Sequence, residues 1–80
     1  MDPRRLKAFL VLAEEKSFHK AAERLYLSQP ALTQRIQALE RELGVRLLER
    51  RPFRLTPAGD LLRREGARLL KELEALKEAV

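Results

Sequence analysis

Three prolines in this 80-residue chain each fall one or two positions after a side chain able to cap a helix: Asp2-Pro3, Ser28-Gln29-Pro30 and Thr56-Pro57. Proline in a first helical turn forfeits nothing, because the N–H it lacks would have had no partner there. Asp, Ser and Thr meanwhile supply the oxygen that the free N–H groups of that turn require. With Ser17 as a further cap, these signals set the starts of four helices.

Apolar residues recur at helical spacing behind each start. Leu6, Phe9, Leu10 and Ala13 predict a first helix to about Glu14. Phe18, Ala21, Ala22 and Leu25 make the inner face of a short second helix, whose paired alanines let another helix cross close by. Tyr26 and Leu27 form a tight turn, and Leu27 is placed to pack on Leu32 as a hydrophobic staple. In the third helix Leu32, Ile36, Leu39 and Leu43 form an apolar stripe that Gly44 ends as a left-handed residue. Val45–Arg50 and Phe53–Leu55, on either side of Arg51-Pro52, read as a small hairpin with Leu47 and Leu55 toward the core.

No further breaker follows Thr56, which predicts a last helix of about 20 residues. Along it Leu62, Gly66, Leu69, Leu73, Leu76 and Val80 are spaced 4-3-4-3-4, an a/d seam. The first three helices are expected to cover only its beginning, around Leu61 and Leu62. The remaining stripe then calls for a second copy, with Gly66 allowing close approach of the two backbones. The expected fold class is all-α: a winged helix-turn-helix of three helices and a two-strand wing, plus a long C-terminal linker helix. Residues 1–57 form the first part of this division and residues 58–80 the linker and dimerisation helix.

A chain of this length leaves about 40% of its unfolded-state surface exposed and holds one modest core. Hydrophobic residues are 45% and charged residues 36%, and no apolar run approaches the roughly 20 residues of a spanning helix. These features exclude a disordered or membrane-bound chain. The N-terminus, with Asp2, Arg4 and Arg5, is unlike a secretory signal, so the cytoplasm is the expected location. Without cysteine there is neither a disulfide framework nor a thiolate metal site. The lone His19 has no partners at metal-ligand spacing, the carboxylates alternate with Lys and Arg as on a solvated face, and the three glycines are scattered. No catalytic residue, metal or cofactor is expected, and the chain is not read as an enzyme.

The net charge of +5 is unevenly placed. The nine residues Arg46–Arg54 hold four arginines and one glutamate, whereas residues 55–80 hold five charges of each sign. This basic hairpin adjoins the third helix, which has an unusual outer face. Opposite its leucine stripe lie Pro30, Gln34, Gln37 and Arg41, flanked by Thr33 and Ala38. A merely solvated helix normally carries Lys and Glu there. Amides bidentate to adenine, Arg to guanine and small apolar groups against the thymine methyl are the means by which a helix reads base edges. Arg50, Arg51 and Arg54 suit phosphates or a minor groove, since guanidinium is a planar fork that stays charged. In the plainer reading Arg46 and Arg50 balance Glu40, Glu42 and Glu49, which is expected in part for Arg46 and much less for Arg51 and Arg54. Two other readings stand beside this one. A protein-docking module would place apolar anchors where Gln34 and Gln37 stand, and a shape-reading nucleic-acid binder would spread more charge over more surface.

The segments that carry these features also resemble a known family. Ser17-Phe18-His19-Lys20-Ala21-Ala22-Glu23-Arg24-Leu25, then Leu27-Ser28-Gln29-Pro30-Ala31-Leu32-Thr33, with Ile36, Leu39, Glu40, Leu43 and Gly44, are similar to the N-terminal domain of LysR-type transcriptional regulators. Leu47-Leu48-Glu49-Arg50 and Leu55-Thr56-Pro57-Ala58-Gly59 extend the resemblance over nearly the whole chain. It implies a bacterial regulator whose third helix, about 29–42, enters the major groove of double-stranded DNA while the wing, 46–54, meets the backbone and minor groove. Gln29, Pro30, Thr33 and Gln34 then fall on contact positions and Arg54 on the wing. The expected DNA-binding set is Ser28, Gln29, Pro30, Thr33, Gln34, Arg35 and Gln37 with Arg50, Arg51 and Arg54. The long helix is expected to pair antiparallel in a homodimer on an inverted-repeat operator, with a tetramer as a further state of a full-length protein. The wing is shorter than usual, with only Arg51-Pro52-Phe53-Arg54 between Arg50 and Leu55. The family's effector-binding domain is missing, so an inducer is expected only if that C-terminal domain exists in a longer protein.

Overall fold

A computed structural model describes residues 1–80. The elements are α1 (Pro3–Glu15), α2 (Phe18–Leu25), α3 (Gln29–Leu43), β1 (Leu48–Glu49), β2 (Arg54–Leu55) and α4 (Pro57–Ala79). Each helix begins at the cap its sequence announces. The Asp2 carboxylate accepts from the Arg4 N–H at 2.9 Å, and the hydroxyls of Ser17, Ser28 and Thr56 accept from Lys20, Ala31 and Gly59 at 3.1, 3.2 and 3.0 Å. Gly44 ends α3 at φ 69°, as expected of glycine in the left-handed region. Lys16 and Tyr26 end α1 and α2 in that same region, at φ 56° and 57°. The sequence gives no sign of these two, because neither residue favours the conformation.

The core forms around α1. Leu6, Phe9, Leu10 and Ala13 are buried, and so are Ala8, Val11 and Leu12. A helix apolar on every side is one enclosed by others, and α1 lies against α2, α3 and α4. From α3, Leu32, Ile36 and Leu39 complete this core, but Leu43 is exposed. The expected four-residue stripe is therefore buried over three residues, and Leu43 in the last turn of α3 is 38% exposed. Leu27 packs against the core beside it.

The wing is a two-stranded antiparallel ribbon in which Leu48 faces Leu55 and Glu49 faces Arg54. Leu47 and Leu48 are both buried, and Phe53 and Leu55 pack on the core. Two polar ties fix its root. The Glu40 carboxylate accepts from the Leu47 N–H at 2.8 Å, and the Thr56 hydroxyl donates to the Arg46 carbonyl at 2.7 Å. Helix α4 then leaves the body unbroken for 23 residues.

Intrachain cover of α4 runs further than the sequence reading allowed. Leu61 is exposed, while Leu62 and Leu70 pack on the core and Gly66 is buried. A Cβ at Gly66 would sit 2.9 Å from a Leu6 methyl and 3.7 Å from one of Leu10. The close approach that Gly66 permits is thus made to α1 of its own chain. The heptad spacing does not distinguish an intrachain neighbour from a second copy.

Gly59 is held more tightly still, because a Cβ there would collide with the Leu47 carbonyl, itself the acceptor for the Thr56 N–H. Gly59→Ala is expected to destabilise the chain by about 1–3 kcal/mol through overpacking against rigid backbone. Gly44→Ala meets no atom within 4 Å and costs only the left-handed backbone conformation, about 1 kcal/mol. Urea denaturation should rank Gly59→Ala below Gly44→Ala, and the reverse order would refute this account of the wing root.

Two aspartates at helix starts, Asp2 as the cap of α1 and Asp60 in the first turn of α4, add a pH dependence. Asp2 is held below the usual carboxylate range, first by the Arg4 side chain and then by the Arg4 N–H, and Asp60 is lowered chiefly by Arg63. Both folded-state values are depressed, so their stabilisation is present above the ordinary Asp range and is lost as pH falls through the folded values. Melting should therefore occur at lower temperature at about pH 3 than at neutral pH, and Asp2→Asn should shrink that difference.

Candidate nucleic-acid interface

Helix α3 is anchored on one side by Leu32, Ile36 and Leu39, which turns its opposite side outward. Gln29, Pro30, Gln34, Gln37 and Arg41 are exposed there, and Thr33 and Ala38 are half-buried at the flanks. Neither Gln34 nor Gln37 spends its amide on an intrachain hydrogen bond, so both keep a full set of donors and acceptors for a partner. The turn Tyr26-Leu27-Ser28 joins α2 to α3. It is closed by bonds from Tyr26 N–H to the Glu23 carbonyl at 3.1 Å and from Leu27 N–H to the Ala22 carbonyl at 2.9 Å.

The expected residues do not all present themselves in the same way. The Ser28 hydroxyl is already engaged as the cap of α3. Gln29 Nε2 lies 3.4 Å from His19 Nδ1, and His19 Nε2 lies 3.6 Å from Glu23. His19, which its sequence marks only as exposed, thus stands beside the start of α3. Arg35 is half-buried and turns toward α1 and α2, lining a groove with Lys7, Val11, Arg24, Leu25 and Tyr26 rather than the face of Gln34.

The arginines of the wing divide in two. Arg46 pairs with Glu40 at 3.7 Å and with Glu49 at 3.8 Å. Glu42, the other expected partner, instead meets the N-terminal ammonium and Arg5. Arg51 and Arg54 are exposed and have no ion pair within the chain. Their charge therefore remains available to an anion lying across the wing. Arg50 also lacks a carboxylate, but its guanidinium carbon lies 3.9 Å from the centre of the Phe18 ring and its Nη1 donates to Thr33 Oγ1 at 3.3 Å. The sequence offered no sign of this fold-back, which depends on the wing returning over the start of α2.

No group of three or more His, Asp or Glu side chains is gathered closely enough to hold a metal ion. No helix is long and apolar enough to cross a membrane. What the geometry offers a partner is a row of amides on a fixed helix with uncompensated guanidinium groups at one side.

Known proteins share both the sequence and this geometry. Residues 3–60 match the family described as "Bacterial regulatory helix-turn-helix protein, lysR family". A relative from Azotobacter vinelandii, an HTH-type transcriptional regulator in the ibpB-leuC intergenic region, is 48% identical over all of this chain and 57% of its own length. The HTH-type transcriptional regulator BenM of Acinetobacter baylyi is 42% identical over 95% of this chain and 26% of its own length. The chain thus spans between a quarter and three-fifths of these two relatives. Among solved structures, the BenM DNA-binding domain in complex with catB site 1 DNA has a TM-score of 0.92 at 41% identity, covering 99% of this chain and 91% of that one. CbnR, a LysR family transcriptional regulator, has a TM-score of 0.93 at 41% identity, covering 99% of this chain and 28% of that one. The shared winged helix-turn-helix, the match to residues 3–60 and the identity along the whole chain lead to one conclusion: this chain belongs to the LysR family of bacterial regulatory helix-turn-helix proteins.

Proposed function

We propose that these 80 residues are the DNA-reading part of a bacterial transcriptional regulator and have no enzymatic role. Helix α3 enters the major groove and the wing lies along the flanking backbone and minor groove. The observation that carries this reading is the free amide face of Gln34 and Gln37 beside the unpaired Arg51 and Arg54. A protein-docking face would need apolar anchors at those positions, and an indiscriminate polyanion binder would not need the amides. The likeness to a BenM domain crystallised on DNA supports the same reading. Pro30, Thr33, Gln34 and Gln37 are assigned to base edges, Gln29 and Ser28 to the base or backbone at the helix start, and Arg51 and Arg54 to phosphates. Arg35, turned aside, is assigned to backbone contact at most. Such a regulator works in the cytoplasm, where bacterial DNA lies.

Two kinds of contact predict two kinds of loss. Gln34→Ala or Thr33→Ala should relax sequence preference at one or two base pairs, by about 1–3 kcal/mol for a good bidentate contact. Arg51→Ala or Arg54→Ala should weaken binding to all duplexes alike and lower the slope of log K against log salt by about 0.9 per phosphate lost. Selection from randomised duplexes, followed by salt titration, measures both. Uniform loss from the α3 changes with an altered motif from the wing changes would reverse the assignments.

We further infer a homodimer through the far half of α4, within the division into residues 1–57 and 58–80. Leu69, Leu73 and Leu76 are each close to half exposed or more, and Val80 is fully exposed. Of these, Leu73, Leu76 and Val80 line a groove of about 430 Å3 against Pro3, Arg4 and Lys7 of α1. A contiguous apolar stripe on a projecting helix is poorly tolerated by a monomer in water, and an antiparallel second copy would cover it. Two-fold symmetry would also set two copies of α3 on one face, as an inverted-repeat operator requires. With Leu62 and Gly66 occupied inside the chain, the paired surface is assigned to Leu69, Leu73, Leu76 and Val80. The double change Leu69→Glu with Leu73→Glu should leave α1–α3 folded while abolishing the dimer and most operator affinity. Sedimentation showing an unchanged dimer in that variant would refute the assignment.

A further inference from the structure

Arg50 opens the turn of the wing, directly after β1, and folds back onto α2 and α3. It lies over the ring of Phe18, the first residue of α2, and donates to the hydroxyl of Thr33 in the second turn of α3. Phe18 is buried, and Phe53 of the wing packs edge-on against it with ring centres 6.5 Å apart and planes at 69°. The ring is thus packed by the core and by Phe53, and it presents one face to the cation. No carboxylate competes for Arg50, because the nearby Glu40 and Glu49 are paired with Arg46. Within the chain, the ring and the hydroxyl are the side-chain groups it meets.

The contact constrains the chemistry of Thr33. A threonine hydroxyl has one proton to donate and two lone pairs to accept with, whereas guanidinium only donates. Once Arg50 has taken a lone pair, the hydroxyl proton must point away from the guanidinium, and the adjacent positive charge strengthens it as a donor. We propose that Arg50 is a positioning residue for base recognition, holding Thr33 toward DNA as a hydrogen-bond donor rather than contributing one more phosphate contact. Thr33 then selects an acceptor at its base pair: purine N7, guanine O6 or thymine O4. Adenine N6 and cytosine N4, both donors, are disfavoured there. This rests on the assignment of α3 to the major groove.

The test compares the wild-type chain with Arg50→Met, Arg50→Lys and Thr33→Val in selection from randomised duplexes, with salt titrations and melting curves alongside. Methionine keeps an apolar contact with Phe18 and has no donor. Lysine keeps the charge but lacks the planar fork that lies on a ring while donating sideways. Both Arg50 variants should lose preference at the base pair that Thr33→Val affects, by about fivefold or more, and Arg50→Lys should do so with the salt slope unchanged. Arg50→Met combined with Thr33→Val should relax that position no further than Thr33→Val alone. A uniform loss of affinity in Arg50→Met, with the salt slope lowered by about 0.9 and both restored in Arg50→Lys, would make Arg50 a phosphate contact and overturn the proposal. A lowered melting temperature with an unchanged motif in both variants would reduce it to a packing role and overturn it equally. Should Arg50→Met fail to fold, Arg50→Lys carries the comparison. Absence of any motif in the wild-type selection would instead refute the reading of α3 on which the proposal stands.

Discussion

The burial of α1 is the interaction on which the rest of the structure depends. Phe9 and Leu12 are wholly enclosed, and the residues between Ala8 and Ala13 are buried without interruption. Truncating a side chain as enclosed as Phe9 to alanine typically costs about 3–5 kcal/mol, a large share of the stability available to a domain this small. One face of α1 receives α2 and α3, and the other receives α4 through Leu62, Gly66 and Leu70. The same helix therefore fixes α3 and the start of the long helix relative to each other. The long helix is therefore joined to α3 through a packed core rather than through a flexible joint.

The wing is fastened to that body by polar bonds and by apolar packing of opposite exposure. Glu40 satisfies the N–H of the buried Leu47, which would otherwise be a donor without a partner. Thr56 caps α4 with its oxygen and donates its proton to the Arg46 carbonyl, so one side chain starts a helix and ties down the preceding strand. Beyond these ties, Arg50 and Arg51 lie in the turn of the ribbon and Arg54 in β2 opposite Glu49. Three arginines within five residues thus acquire different surroundings, Arg50 lying on the Phe18 ring and the Thr33 hydroxyl while Arg51 and Arg54 remain exposed.

Much of the helical framework was legible in the sequence because it is locally encoded. Caps act within three residues and apolar period acts within a few turns, so Asp2, Ser17, Ser28 and Thr56 announce helices that the structure contains. The outer face of α3 followed from the inner one, since fixing Leu32, Ile36 and Leu39 inward leaves Gln34 and Gln37 outward. Leu43 shares the period of that inner face yet is exposed, because period alone does not say how far the body extends beneath a helix. The same holds for Gly66, whose seam position reads identically whether its neighbour is a second copy or Leu6 of the same chain.

The sequence by itself determined the number and order of the elements, the polar character of α3 and the concentration of charge in residues 46–54, all properties of neighbours along the chain. Only the tertiary structure decided which charges stay free. Glu40 reaches Leu47 across the left-handed turn at Gly44, and Arg50 meets Phe18 and Thr33 from 32 and 17 residues away. Contacts at such separations leave no periodic trace, because they depend on how the core orients whole elements. Four arginines of equal formal charge therefore become one ion-paired residue, one guanidinium seated on an aromatic ring and two free cations.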